Sequence, residues 1–197
     1  MISKQPLKTY DLAIIPVFVA LLAIGANATA MIVIGGVPIT FQTFIAILAG
    51  AILGSKRGIY AIIVYILVGL IGFPVFSQFH SGLGVLFRPT FGFILSFIGV
   101  VYITAKVIEK SKQKSLLTFL IACYLGLIFN YIFGTTYMYY SYQFLAELDA
   151  ITYSMAWGWM IAPGIKDLIF TFFAAIIAQR LYAMVYRKSA EPIKEVA

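Results

Sequence analysis

The sequence predicts an all-α integral membrane protein with six transmembrane helices in one bundle and both termini in the cytoplasm. Three observations carry this reading. Hydrophobic residues make up 62% of the 197, charged residues only 11%, and the mean hydropathy is +1.00, whereas soluble domains carry about 25% charged residues. Six apolar runs alternate with short segments of charges and turn formers. Twelve of the 14 Lys and Arg fall in every second connecting segment, as the positive-inside rule requires of cytoplasmic loops. The net charge of +7 is therefore a topology signal. A nucleic-acid binder would instead gather its basic residues on a polar face.

The first run covers 12–30 and follows Lys4 and Lys8. Its end, Ala26-Asn-Ala-Thr-Ala30, contains the small-x-small pattern of a signal peptidase site. The run is longer than a typical signal core, and an even number of spans suits the charges, so it reads as a retained helix. The second run, 40–53, closes on Gly54-Ser-Lys-Arg-Gly58, and the third, 59–73, stops at Pro74. Both fall short of the roughly 20 residues that cross a hydrocarbon core of about 30 Å. Loops are expected to cover their outer ends. The remaining runs are 89–108, 116–139 and 162–186. Residues 12–186 thus form a single membrane domain between a cytoplasmic N-terminus, 1–11, and a charged cytoplasmic tail, 187–197, with Glu147 and Asp149 in the last outer loop.

Only Arg88 and Lys166 among the basic residues lie outside the cytoplasmic segments. Ionisable groups in a membrane segment are costly and mark functional sites by default. Lys166 and Asp167 stand near the outer end of the sixth helix, behind Pro163, which suits a first helical turn. As neighbours they point about 100° apart, so each is expected to have another partner. Asn130 sits about 14 residues into the fifth helix, or about 21 Å up at 1.5 Å per residue. Gln42 opens the second helix and Arg88 immediately precedes the fourth. Gln42, Arg88, Asn130, Lys166 and Asp167 therefore share one depth while coming from four helices. Aromatic residues gather on the same side: Phe73, Phe76, Phe79, Tyr137, Tyr139, Tyr140, Tyr142, Trp157 and Trp159. They fit an interfacial belt, some of them walling a cavity.

Other chemistry is missing from the sequence. Cys123 is the one cysteine and His80 the one histidine, which leaves no metal-ligand set. There is no phosphate-cradling Walker motif, so an ATP-driven process needs a partner subunit.

Five segments together resemble a known family: Gly36-Val-Pro-Ile-Thr-Phe-Gln42-Thr, Gly72-Phe-Pro-Val-Phe-Ser77, Gly82-Leu-Gly-Val-Leu-Phe-Arg88-Pro-Thr-Phe-Gly92-Phe, Asn130-Tyr-Ile-Phe-Gly134 and Pro163-Gly-Ile-Lys166-Asp167. In this order they are similar to the biotin-specific substrate-binding subunits (S components, BioY family) of energy-coupling factor (ECF) transporters. The resemblance implies a cell-membrane subunit without a cofactor or enzymatic activity of its own. Such a subunit captures biotin from outside and works with a transmembrane coupling subunit and two cytoplasmic ATPases. It implies a lid from the loops after the first and third helices, here Gly36, Pro38, Thr40, Phe76, Ser77 and Gly84. It also implies a small-residue docking stripe on the first helix, here Ala13, Pro16, Ala20 and Ala23, although Ile24 stands where a strict Ala-x-x-x-Ala repeat would continue.

Biotin offers two ureido N–H donors, a carbonyl, a thioether ring and an anionic tail. Asp167, Asn130 and Gln42 suit the ureido group, and either Arg88 or Lys166 suits the carboxylate. An S component for another vitamin, uptake by this subunit alone, an intramembrane enzyme using Lys166 and Asp167 as acid and base, and a purely structural membrane subunit are the competing expectations.

Overall fold

The computed structural model describes residues 9–34, 36–144 and 151–188. Lys4, Lys8, Lys194, Glu147, Asp149 and most of the expected cytoplasmic ends lie outside them. Six helices follow in order: α1 (Thr9–Asn27), α2 (Gln42–Leu70), α3 (Phe91–Lys110), α4 (Leu116–Phe144), a short α5 (Tyr153–Trp159) and α6 (Ile161–Lys188). Among the described residues, Gln42–Leu70, Phe91–Lys110, Leu116–Phe144 and Ile161–Tyr182 are long and apolar enough to cross a membrane, and Leu12–Asn27 is a shorter apolar helix.

The α2 segment is not one straight rod. Gly54 interrupts it at φ 79°, ψ 176°, a backbone region that is essentially glycine's alone. Twenty-three residues of unbroken helix would separate Gln42 from Tyr65 by about 35 Å, yet Gln42 Nε2 donates to Tyr65 Oη at 2.8 Å. The two halves, 42–53 and 55–70, therefore run antiparallel as a hairpin. They meet face to face, since a Cβ on Gly58 would stand 3.1 Å from the Ala49 carbonyl oxygen. Glu109 of α3 secures the turn. One carboxylate oxygen accepts from the Ser55 N–H at 2.7 Å and the other from the Ser55 hydroxyl at 3.1 Å, which satisfies a backbone donor that a helix start leaves open. The expected second and third helices are both present, joined without a loop. The expected fifth helix runs on to Phe144, and the segment before α6 folds α5, where the Thr152 side chain caps the first turn through Met155 N–H at 3.2 Å.

Glycines set the α3–α4 contact. Built Cβ atoms on Gly99 and Gly134 would lie 2.1 Å from the Phe129 ring and 2.2 Å from the Phe93 ring respectively. Each helix thus seats an aromatic ring on a glycine of the other, the close backbone approach that drives helix association where no hydrophobic effect operates. The molecule is apolar outside as well as inside. Ile63, Leu67, Leu125, Ile128, Ile132, Leu168, Ile169 and Phe172 are exposed, while Gln42, Asn130, Asp167, Thr104 and Thr171 are buried.

Two connections close one end of the bundle. A small antiparallel hairpin pairs Val33–Ile34 with Val37–Pro38. Gly36 takes φ 75° there, and Val37 packs with Met138, Ile151, Ala156 and Met160. The connection 71–90 contains two 3-10 turns, Ser77–Phe79 and Leu83–Phe87. Phe76 pins it down, with its ring buried against Gly69 and set edge-on to Tyr65 at 5.4 Å. Asn27, at the end of α1, accepts from the Phe79 N–H at 2.8 Å.

Candidate ligand-binding site

A cavity of about 60 Å³ lies against these two connections and is lined by residues of α2, α3, α4 and α6. Gln42, Asn130, Lys166 and Asp167 all line it, together with Pro38, Thr40 and Ser77 from the connections above. Their common depth follows from where each stands in its helix. Gln42 is the first residue of α2, and Lys166 and Asp167 occupy the opening turns of α6. Asn130 is buried in the middle of α4.

These polar groups are shielded and held. Gln42 is 4% exposed, Asn130 1% and Asp167 5%. The Asp167 carboxylate accepts from the Tyr131 hydroxyl through Oδ2 at 2.7 Å. Its Oδ1 lies 2.8 Å from Lys166 Nζ. Adjacent residues do pair here, contrary to the expectation from their 100° separation, because the four-carbon lysine stem swings back to its neighbour. The contact is an ion pair by distance without an aligned hydrogen bond, and Oδ1 is left without a hydrogen-bond donor. Each residue also has the second partner expected of it, since Lys166 donates to the Thr40 carbonyl. The ammonium stands 5.7 Å from the Phe41 ring centroid, a favourable cation–π distance.

Asn130 Nδ2 donates to Ser96 Oγ at 2.6 Å, and Ser96 Oγ donates to the Phe93 carbonyl at 2.7 Å. Asn130 Oδ1, Asp167 Oδ1 and Ser77 Oγ are buried and have no hydrogen-bond partner within the protein. A buried polar atom left unsatisfied costs about 1–3 kcal/mol, and of the four such side-chain atoms among the described residues these three belong to residues lining one cavity, Thr135 Oγ1 being the exception. Such an arrangement is built to receive hydrogen-bonding groups from a ligand.

Other residues singled out from the sequence lie elsewhere. Arg88 is exposed just before α3 and outside the cavity lining, two residues from Thr90, which is in it. Phe76 is a core anchor of its loop, while Gly36 and Gly84 are exposed. On α1, Ala13 and Ala20 are exposed and Ala23 is half-buried. The sequence reading missed Tyr65, Ser96 and Tyr131. Lone hydroxyls in apolar helices pass for packing or belt residues, although the position of Tyr131 next to Asn130 is a usable signal.

The BioY family model matches residues 2–187. BioYB of Bacillus subtilis (strain 168) is 36% identical over 188 residues, covering 94% of each chain. The biotin transporter BioY of Thermotoga maritima is 32% identical over 166 residues, covering 84% of this chain and 91% of its own. The fold matches the crystal structure of the S-component for biotin from an ECF-type ABC transporter, with a TM-score of 0.73 at 19% identity, covering 89% of this chain and 94% of that one. With its long apolar helices and a family match along almost its whole length, this chain is a multi-pass membrane protein and belongs to the BioY family.

Proposed function

We propose that the chain is the biotin-capturing S component of an ECF-type ABC transporter, with the cavity facing outside. The observation that carries this reading is the pair of buried acceptor oxygens without a hydrogen-bond donor in the protein, Asn130 Oδ1 and the ion-paired Asp167 Oδ1, in a cavity that also holds Lys166. A ureido ring carries two N–H donors for such oxygens, and Phe93, Phe97 and Met160 offer apolar contact to its thioether ring. Gln42 adds a polar contact. Lys166 is already engaged by Asp167 and Thr40, which favours the exposed Arg88, two residues before the lining Thr90, as the partner of the tail carboxylate, since a guanidinium offers a bidentate fit.

Counting the α2 hairpin as two spans gives six. With that count, the distribution of basic residues supports cytoplasmic termini and an outward-facing cavity. Capture occurs under a lid of the 31–41 and 71–90 connections. Release depends on reorientation of the subunit by a transmembrane coupling subunit and two cytoplasmic ATPases. The stripe of Ala13, Ala20 and Ala23 on α1 is the docking face.

Calorimetric titration of the detergent-purified chain with biotin, against dethiobiotin, thiamine and riboflavin as competitors, tests the proposal. Saturable biotin binding displaced by dethiobiotin alone is expected. Displacement by thiamine or riboflavin would point to another vitamin, and chemical conversion of biotin would point to an enzyme.

A further inference from the structure

Two hydroxyls outside the cavity lining accept from the NH₂ groups of the two amides that line it. Ser96 Oγ has a single proton and gives it to the Phe93 carbonyl at 2.7 Å, so toward Asn130 it can only accept. Asn130 must therefore turn its NH₂ to Ser96, where the Phe93 carbonyl at 3.5 Å is a second acceptor. Its oxygen is left for the cavity, buried and unpartnered. The same relay recurs on the other wall. Tyr65 Oη gives its proton to the Val75 carbonyl at 2.9 Å and accepts from Gln42 Nε2 at 2.8 Å. Neither Ser96 nor Tyr65 lines the cavity, whereas both amides do. Tyr131 caps one oxygen of Asp167, and the other faces the Lys166 ammonium at 2.8 Å without an aligned hydrogen bond.

We infer that Ser96 and Tyr65 are positioning residues that lock Asn130 and Gln42 with their oxygens toward the ligand, making the site selective for a ring that donates N–H groups. This inference rests on the biotin reading of the site. An amide free to rotate would serve a donor or an acceptor equally, and selectivity between them would vanish. With the oxygen locked in place, a ligand acceptor at that position meets an acceptor, and both are left buried and unsatisfied.

The test uses biotin and its two cyclic carbamate analogues, in each of which one ring N–H is replaced by an oxygen of nearly equal size. Affinities are measured on the full chain in detergent. The wild-type protein is expected to bind one or both analogues about tenfold to hundredfold more weakly than biotin. Ser96→Ala should compress that ratio severalfold by freeing the Asn130 amide, and Ser96→Thr, which keeps the hydroxyl, should restore it. Tyr65→Phe provides the independent test through Gln42, and decides the matter by the same ratio if Ser96→Ala does not fold. Biotin binding with an unchanged ratio in the Ala and Phe variants overturns the inference alone, as does a Thr variant that behaves like Ala. A wild-type chain that binds neither biotin nor the analogues overturns the biotin reading itself.

Discussion

The Tyr131 hydroxyl donates to Asp167 Oδ2 at 2.7 Å and joins α4 to α6 in the wall of the cavity. This bond orients a buried carboxylate that would otherwise be held only by its neighbour Lys166. Tyr131→Phe leaves Oδ2 without its donor and is expected to destabilise the protein by about 1–3 kcal/mol. Thermal unfolding in detergent reads this directly, and biotin affinity should fall together with it. Asp167→Asn, which removes the charge and half the acceptor capacity, should weaken biotin more than Tyr131→Phe does. Unchanged affinity in both Asp167→Asn and Lys166→Ala would remove the site from this cavity.

The carboxylate partner is open to a direct comparison of biotin with its uncharged amide. Arg88→Ala is expected to lower affinity for biotin by about tenfold while leaving the amide little changed, the loss of roughly one charge-assisted contact. If Lys166→Ala produces that selective loss and Arg88→Ala does not, the tail lies inward instead, and the ammonium that now holds Thr40 and Asp167 is its partner.

Gly54 carries the hairpin. Any side chain there is forced into an unfavourable backbone region, at a cost of about 1–3 kcal/mol, and a Cβ would also stand 3.2 Å from Glu109 Oε1. Gly54→Ala should therefore lower the unfolding temperature. Glu109→Ala removes the acceptor for Ser55 N–H and Oγ and should act in the same direction with a smaller effect, because Ser55 is partly open to solvent.

The α3–α4 seam predicts a packing failure of a different kind. Gly134→Leu places a side chain where the Phe93 ring already lies. Because Asn130 and Tyr131 sit one turn away on α4, this variant should lose biotin binding along with stability. Gly158→Ala is the control: nothing lies within 4 Å of a Cβ there, and both properties should be retained.

Separation of capture from transport is expected on α1. Ala20 is exposed and is not among the residues that line the cavity. Ala20→Trp should leave biotin affinity of the purified chain unchanged while abolishing biotin uptake in cells that also supply the coupling subunit and ATPases. Loss of affinity in that variant would mean that the stripe packs within the bundle.

The sequence made the solvent and the depth of each residue legible. An apolar chain with so few charges must use the bilayer, and counting residues along each run placed Gln42, Asn130, Lys166 and Asp167 at one level without any knowledge of their neighbours. Depth was readable because it depends only on helix rise and on where each run begins. The hairpin was half legible: Gly54 was seen as a stop, but the direct packing of residues 42–53 on 55–70 was not, because it depends on a backbone angle at a single residue.

Composition, topology signals and axial position were thus determined by the sequence alone. Rotation about each helix axis was decided by the tertiary structure, because the side on which a residue faces its neighbours is set by ring-on-glycine packing between helices. That rotation brings Tyr131 to Asp167 and Ser96 to Asn130, sets Tyr65 behind Gln42, and leaves Arg88 outside the cavity. It brings four of the five residues into the wall of one cavity, where Asn130 Oδ1 and Asp167 Oδ1 are buried without a hydrogen-bond donor.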